Sequence, residues 1–330
     1  MRYFLLTVYH ATKDFYKKHK QKAIIAISSL VGLMLIGLLV LLPKNMRRRP
    51  SVPAESTAPT PSTSVAPSAL SPAPESEQPS LSPVPSPTPT QPNWAEIDVT
   101  KFEIFNNEKH GWGHGKWKDE KNRPTDAIAA QEKYGALGGL FIGEAENVIY
   151  LTFDEGYENG YTEKILDVLK EKNQRATFFV TYDYVSKNDA LVRRMIAEGH
   201  VLGNHSMHHP SMPEIPLATA KTEITDLHDY VFQQYGVSMR LFRPPMGHFS
   251  ERTLALAQAL GYESAFWSFA YHDWDPKNQN GYEKALQKTV DDLHPGAIYL
   301  LHAVSKDNAD ILGEWIDITR GKGYAILPLE

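Results

Sequence analysis

The chain reads as an α/β fold whose parallel sheet curls into a distorted (β/α) barrel of about seven strands. Three observations predict this. Short apolar runs alternate with amphipathic segments from about residue 148 to the end, the pattern of a parallel sheet with crossover helices. The run Val148-Ile149-Tyr150-Leu151-Thr152-Phe153 is β-branched and aromatic on both faces, as a covered strand should be. Polar clusters follow several of these runs at once, where α/β folds place ligands and chemistry.

In order, strands are predicted at 148–153, 176–181, 200–204, 240–243, 264–268, 297–301 and 324–327. Helices are predicted at 161–172, 189–198, 217–234, 251–260, 281–292 and 307–321. The first helix sets Ile165, Leu166, Val168 and Leu169 against Lys164, Asp167, Lys170 and Glu171, a stripe of helical period. The region ahead of the barrel, 94–145, is rich in loop-forming residues and carries His110-Gly111-Trp112-Gly113-His114.

The first 93 residues have another character. Residues 1–22 are polar and basic, a cytoplasmic segment, and residues 23–43 hold an uncharged apolar stretch from Ala23 to Leu42. At about 1.5 Å per residue such a stretch spans a bilayer core of about 30 Å. It ends Leu41-Leu42-Pro43-Lys44 without a small-residue cleavage site, so an uncleaved signal anchor is expected rather than a cleaved signal peptide. Residues 44–93 are mostly Pro, Ser, Thr and Ala, a disordered tether. Together they predict a single-pass membrane protein whose globular part, 94–145 and 146–330, is held away from the bilayer by the tether.

Charge narrows the partners. The first 50 residues carry ten Lys and Arg and one acid, so the remainder is acidic, with 24 basic against 38 acidic side chains. An acidic globular part is a poor phosphate-backbone binder, and nucleic acid is not expected as a partner. The chain has no cysteine, which removes thiolate nucleophiles, disulfides and Cys-ligated zinc.

Asp154-Glu155-Gly156 ends the first strand, and the plain reading is a strand cap with solvated acids. His205 and His209 follow the third strand, and imidazoles four apart on a helical turn can reach one metal ion. His110 and His114 share that spacing with no strand behind them. Two histidines and a carboxylate suit zinc or another borderline divalent ion. Arg243 precedes the stiff Pro244-Pro245-Met246-Gly247 loop and is expected to pair with Asp154. His302 ends the strand 297–301 as a candidate general acid or base, with Asp273 as its partner. Trp267, Tyr271 and Trp274 suit sugar rings, although Trp267 also reads as core.

Taken in order, TFDEG, HSMHH, RPPMG, AYHDW and LLH resemble the five motifs of the polysaccharide deacetylase family (carbohydrate esterase family 4, the NodB-homology domain) over roughly 146–330. The longer stretches TFDEGYENGYT, GNHSMHHP and GAIYLLHAVSKDNA are most similar to its PdaA-type subgroup, which acts on N-acetylmuramic acid of peptidoglycan in the muramic δ-lactam pathway. The resemblance implies a divalent-metal-dependent N-deacetylase of peptidoglycan glycan strands, and with the anchor and tether it implies a catalytic domain on the wall side of a bacterial cell membrane. Zinc is the expected metal, with cobalt or manganese as alternatives. Asp154 would be the general base, Arg243 its orienting partner, and His302 the acid set by Asp273. His205, His209 and Glu155 would hold the metal, and Trp267, Trp274, Tyr271, Pro245 and Gly247 would contact substrate.

Two departures from the family pattern stand out. Glu155 occupies the position of a metal-binding Asp, and Ala270 replaces the Asp that opens the fourth motif. Other acetylated polysaccharides, such as chitin or xylan, are the alternative substrates. A non-catalytic glycan-binding module on the same scaffold is the alternative to an enzyme.

Overall fold

The structure is a computed structural model and describes residues 93–144 and 146–330. The basic segment (1–22), the membrane anchor (23–43) and the tether (44–93) lie outside the described residues, except Asn93. Among the described residues no helix is long and apolar enough to cross a membrane.

The strands are β1 (His110–Gly111), β2 (Gly139–Leu140), β3 (Val148–Glu155), β4 (Thr177–Val180), β5 (Val201–Asn204), β6 (Leu241–Phe242), β7 (His248–Phe249), β8 (Glu263–Ala265), β9 (Ala297–His302) and β10 (Ala325–Leu327). The helices are α1 (Thr125–Tyr134), α2 (Thr162–Glu171), α3 (Tyr182–Lys187), α4 (Asp189–Ala197), α5 (Leu217–Tyr235), α6 (Glu251–Ala259), α7 (Tyr282–Asp291) and α8 (Lys306–Gly321). Every predicted strand and helix is present within a few residues of its expected ends.

The main sheet is parallel throughout and curls, as a NodB-type α/β barrel does. β3 lies between β9 on one side and β4 on the other, with β10 against its first residues; β5, β6, β8 and β2 continue the sheet. Its far side folds back on β9, because Phe269 bridges Tyr299 and Ser268 N–H donates to the Ile298 carbonyl at 3.0 Å. This closure leaves few unpaired strand edges.

Strand alternation then sorts side chains into two cores. Leu151, Phe153, Phe178 and Val180 face the helices, where Ile165, Leu166 and Leu169 of α2 are buried against them. Each such side chain contributes about 1.5–3 kcal/mol by leaving water. Phe179, Leu241, Ala265 and Ile298 form a second cluster on the inner face. Inner side chains fill the barrel, so the chemistry sits at its mouth.

The region expected to be loop-rich has more structure than its sequence suggested. It contains α1, and β2 extends the main sheet beside β8. β1 pairs antiparallel with β7 just after the Pro244–Gly247 loop. Trp112 N–H donates to the Gly247 carbonyl at 2.9 Å and its indole N–H to the Trp267 carbonyl at 2.8 Å. Its glycines hid these contacts, which are long-range. His110 and His114 are not a pair: His110 packs on Phe249, while His114 lies 6.4 Å from the Phe269 ring.

Candidate active site

Asp154 and His302 meet because β3 and β9 are paired in register, Asp154 opposite His302. Parallel neighbours in register share a face, so both side chains reach the same mouth. Arg243 follows β6 and is fully buried. Its Nη1 donates to Asp154 Oδ1 at 2.7 Å, while Nε and Nη2 donate to the carbonyls of Ala265 and Phe266. The guanidinium also stacks 4.0 Å above the Phe179 ring. Burial pushes the Asp154 carboxyl up, but the charges of Arg243, then His205 and His302, outweigh it and hold it below the ordinary value.

His302 Nδ1 donates to Asp273 Oδ1 at 2.8 Å, and its backbone N–H to Oδ2 at 2.8 Å. The ring is thereby fixed with Nε2 free for chemistry. Burial lowers the basicity of His302, but the Asp273 charge and hydrogen bond overcome this, and the net shift is upward. Asp273 is held in turn by Asn308 Nδ2 at 2.6 Å, and Asn308 Oδ1 accepts from the Tyr271 hydroxyl. Asn308 escaped the sequence reading because it lies in the first turn of α8, away from any strand end. The Asn in the LLH-AVSKDNA stretch was its only trace.

His205 and His209 come together, though not by a helical turn. The segment after β5 is irregular, with Ser206 at φ 68° and His209 at φ 58°. Asn204 Oδ1 accepts from Ser206 N–H and Ser206 Oγ from His209 N–H, both at 2.9 Å. These bonds sustain a left-handed backbone that costs about 1–3 kcal/mol per residue. The rings lie edge-on with centroids 4.8 Å apart. His205 Nδ1 donates to the Arg243 carbonyl at 2.8 Å, leaving Nε2 as a lone pair 3.5 Å from Asp154 Oδ2. Burial pushes His205 down to about 4 and His209 down as well, which favours the uncharged imidazole that a metal ion would require.

Glu155, expected as the third metal donor, is elsewhere. It follows Asp154 on a strand, so alternation turns it to the helix-facing side with Leu151 and Phe153. Its carboxyl is fully buried with no hydrogen-bond partner among the described residues, and burial, then Glu158 and Asp154, push it well above the carboxylate range. Among the described residues no group of three or more His, Asp and Glu is arranged to hold an ion. The donor chemistry therefore fits a divalent cation through two imidazoles, with Asp154 alongside and no third ligand from Glu155.

These groups open into a cavity of about 960 Å³ lined by Asp154, His205, His209 and His302. Trp267, Tyr271, Trp274 and Gly247 also line it, as expected of substrate contacts, together with Ala270. Pro245 does not. It is buried in the turn beneath, and Pro244 lines the cavity in its place. Trp267 serves both expectations, packing on the core with one edge in the cavity. Tyr157, Tyr182, Met207 and His208 form a further wall that sequence reasoning did not single out.

Known proteins are similar to this chain in sequence and fold. Residues 143–265 match the family model described as polysaccharide deacetylase. An uncharacterized 30.6 kDa protein of Geobacillus stearothermophilus is 44% identical over 237 residues, 71% of this chain and 88% of that protein. The peptidoglycan-N-acetylmuramic acid deacetylase PdaA of Bacillus subtilis is 41% identical over 238 residues, 70% of this chain and 89% of its own length. The solved structure of Bacillus subtilis PdaA, a family 4 carbohydrate esterase, superposes with a TM-score of 0.64 at 39% identity, covering 68% of this chain and 96% of that one. Similarity at this level, over nearly the whole length of these relatives and through the catalytic strands, shows that the chain belongs to the polysaccharide deacetylase family of hydrolases, carbohydrate esterase family 4.

Proposed function

We propose that this chain removes the N-acetyl group from N-acetylmuramic acid residues of peptidoglycan. The muramic assignment draws on the likeness to PdaA. The chemistry draws on one observation above all: Asp154 and His302 face each other across one pair of strands with their proton affinities displaced in opposite directions. Such a pair is suited to divide base and acid roles.

Asp154, ionised and aimed by Arg243, takes a proton from water as the water oxygen attacks the acetyl carbonyl carbon. His302 gives the proton on Nε2 to the departing nitrogen as the C–N bond breaks, and acetate and a free amine are released. Asp273 stabilises the imidazolium throughout. His205 and His209 would hold a divalent cation, zinc foremost, which supplies Lewis-acid polarisation of the carbonyl and acidifies nearby water.

The test is mass spectrometry of peptidoglycan fragments incubated with the full chain and Zn²⁺. A loss of one acetyl mass on muramic residues is expected. Asp154→Asn should lower the rate by about 10²–10⁴ while the chain still folds, read by circular dichroism, although Arg243 loses its counter-charge and the melting temperature falls. Acetate released only from N-acetylglucosamine polymers would overturn the substrate; binding without any release would overturn the enzyme.

The segment 23–43 is proposed as a single-pass anchor that sets this domain outside the membrane, on the strength of its uncharged apolar sequence. Alkaline carbonate extraction of cells should leave the full chain in the membrane pellet, and its appearance in the soluble fraction would sink the proposal.

A further inference from the structure

Between the two histidines of the loop after β5 lies a third, His208. Its side chain is 72% exposed, yet it is not free to turn. The Glu223 carboxylate, from the buried face of α5, accepts from His208 N–H with Oε2 and from Nδ1 with Oε1, both at 2.8 Å. The loop backbone is already tied to α5 by His208 N–H and by Met207 N–H, which donates to the Glu223 carbonyl at 3.0 Å. The ring contact adds nothing to that tether. It fixes an exposed imidazole that would otherwise sample several rotamers.

A carboxylate accepts, so Nδ1 carries the hydrogen, and in that tautomer the ring presents Nε2 as an acceptor. No partner within the described residues meets that nitrogen, and His208 lines the cavity. The same cavity is lined by Met207 and, from the loops after the neighbouring strands β3 and β4, by Tyr157, 48% exposed, and Tyr182, whose ring is held edge-on against Tyr230 at 5.0 Å. An aromatic wall with a fixed acceptor beside it matches a sugar ring, which offers an apolar face and outward hydroxyl donors.

We infer that His208, positioned by Glu223, is a specificity-determining substrate contact that accepts a hydrogen bond from a hydroxyl of a glycan ring lying along Tyr157 and Tyr182. The inference rests on the proposed glycan substrate but not on turnover, so its test is binding.

The full chain carrying Asp154→Asn is titrated calorimetrically with a peptidoglycan tetrasaccharide of alternating N-acetylglucosamine and N-acetylmuramic acid. Adding His208→Ala should weaken binding by about tenfold, the loss of one hydrogen bond. His208→Gln, whose amide oxygen reaches the same place, should recover most of the affinity. Melting temperatures of both variants should stay within about 2 °C of the parent. An affinity within twofold of the parent for His208→Ala overturns the inference. So does a loss of affinity accompanied by a fall in melting temperature, which would make His208 a loop brace. Binding that depends on His208, together with no acetate release by the chain with Asp154 intact, would uphold this inference and refute the deacetylase reading.

Discussion

Arg243 illustrates how a single side chain serves both stability and chemistry. It is the ionic partner of a nearly buried carboxylate, and its other nitrogens satisfy two carbonyls. Arg243→Met should therefore leave Asp154 charged and unpaired, costing about 3–5 kcal/mol in denaturant unfolding, along with nearly all activity. Asp154, with its proton affinity depressed, adds stability above its unfolded value that is lost as pH falls through the folded one. His302 has the opposite sign: its contribution is complete below the unfolded value and is lost as pH rises through the folded one. The proposed mechanism needs Asp154 ionised and His302 protonated, so the acid limb should lie below the ordinary carboxylate value and the alkaline limb above the ordinary histidine value. Asp273→Asn removes the main group that raises His302, so the alkaline limb of kcat should move down. An unmoved limb would exclude His302 as the acid. Among the described residues two imidazoles are placed to hold the proposed metal, so the ion should be held loosely. Dialysis against a chelator should abolish acetate release, Zn²⁺ should restore it, and His209→Ala should not be restored at micromolar Zn²⁺.

At the scale of elements, the loops after β5 and β6 are held by backbone conformations that few residues adopt. Gly247 sits at φ 65°, and a Cβ there would stand 2.8 Å from the Trp267 ring and 3.1 Å from Trp112. Gly247→Ala should cost about 1–3 kcal/mol, from the left-handed backbone and the displaced indole together. Because Trp267 lines the cavity, the same change should raise KM for glycan more than it lowers kcat; an unchanged KM would place Trp267 outside the substrate path. The helices read clearly from sequence because their stripes repeat locally, as in Ile165, Leu166 and Leu169 of α2. The loop 204–209 was harder to read. His-x3-His suggested a helical turn, but two left-handed residues and two side chain to backbone bonds within the loop build the turn instead.

Across the whole molecule, barrel closure brings distant stretches to one mouth. Asp154, His205, Arg243, Asp273 and His302 span about 150 positions in sequence and meet because each ends, or closely follows, a strand of one curled parallel sheet. The sequence by itself determined the alternation of strands and helices, the strand-end placement of the catalytic groups and the pairing of Arg243 with Asp154 and of His302 with Asp273. Those follow from local periodicity and from the chemistry each residue can perform. Only the tertiary structure decided which neighbour of a strand-end pair faces the cavity. Adjacent residues on a strand point to opposite sides, so Asp154 enters the site while Glu155, one position on, is buried behind it. It also decided that Asn308, Glu223 and Trp112 support the site, because their contacts join residues far apart in the chain and leave no local pattern to read.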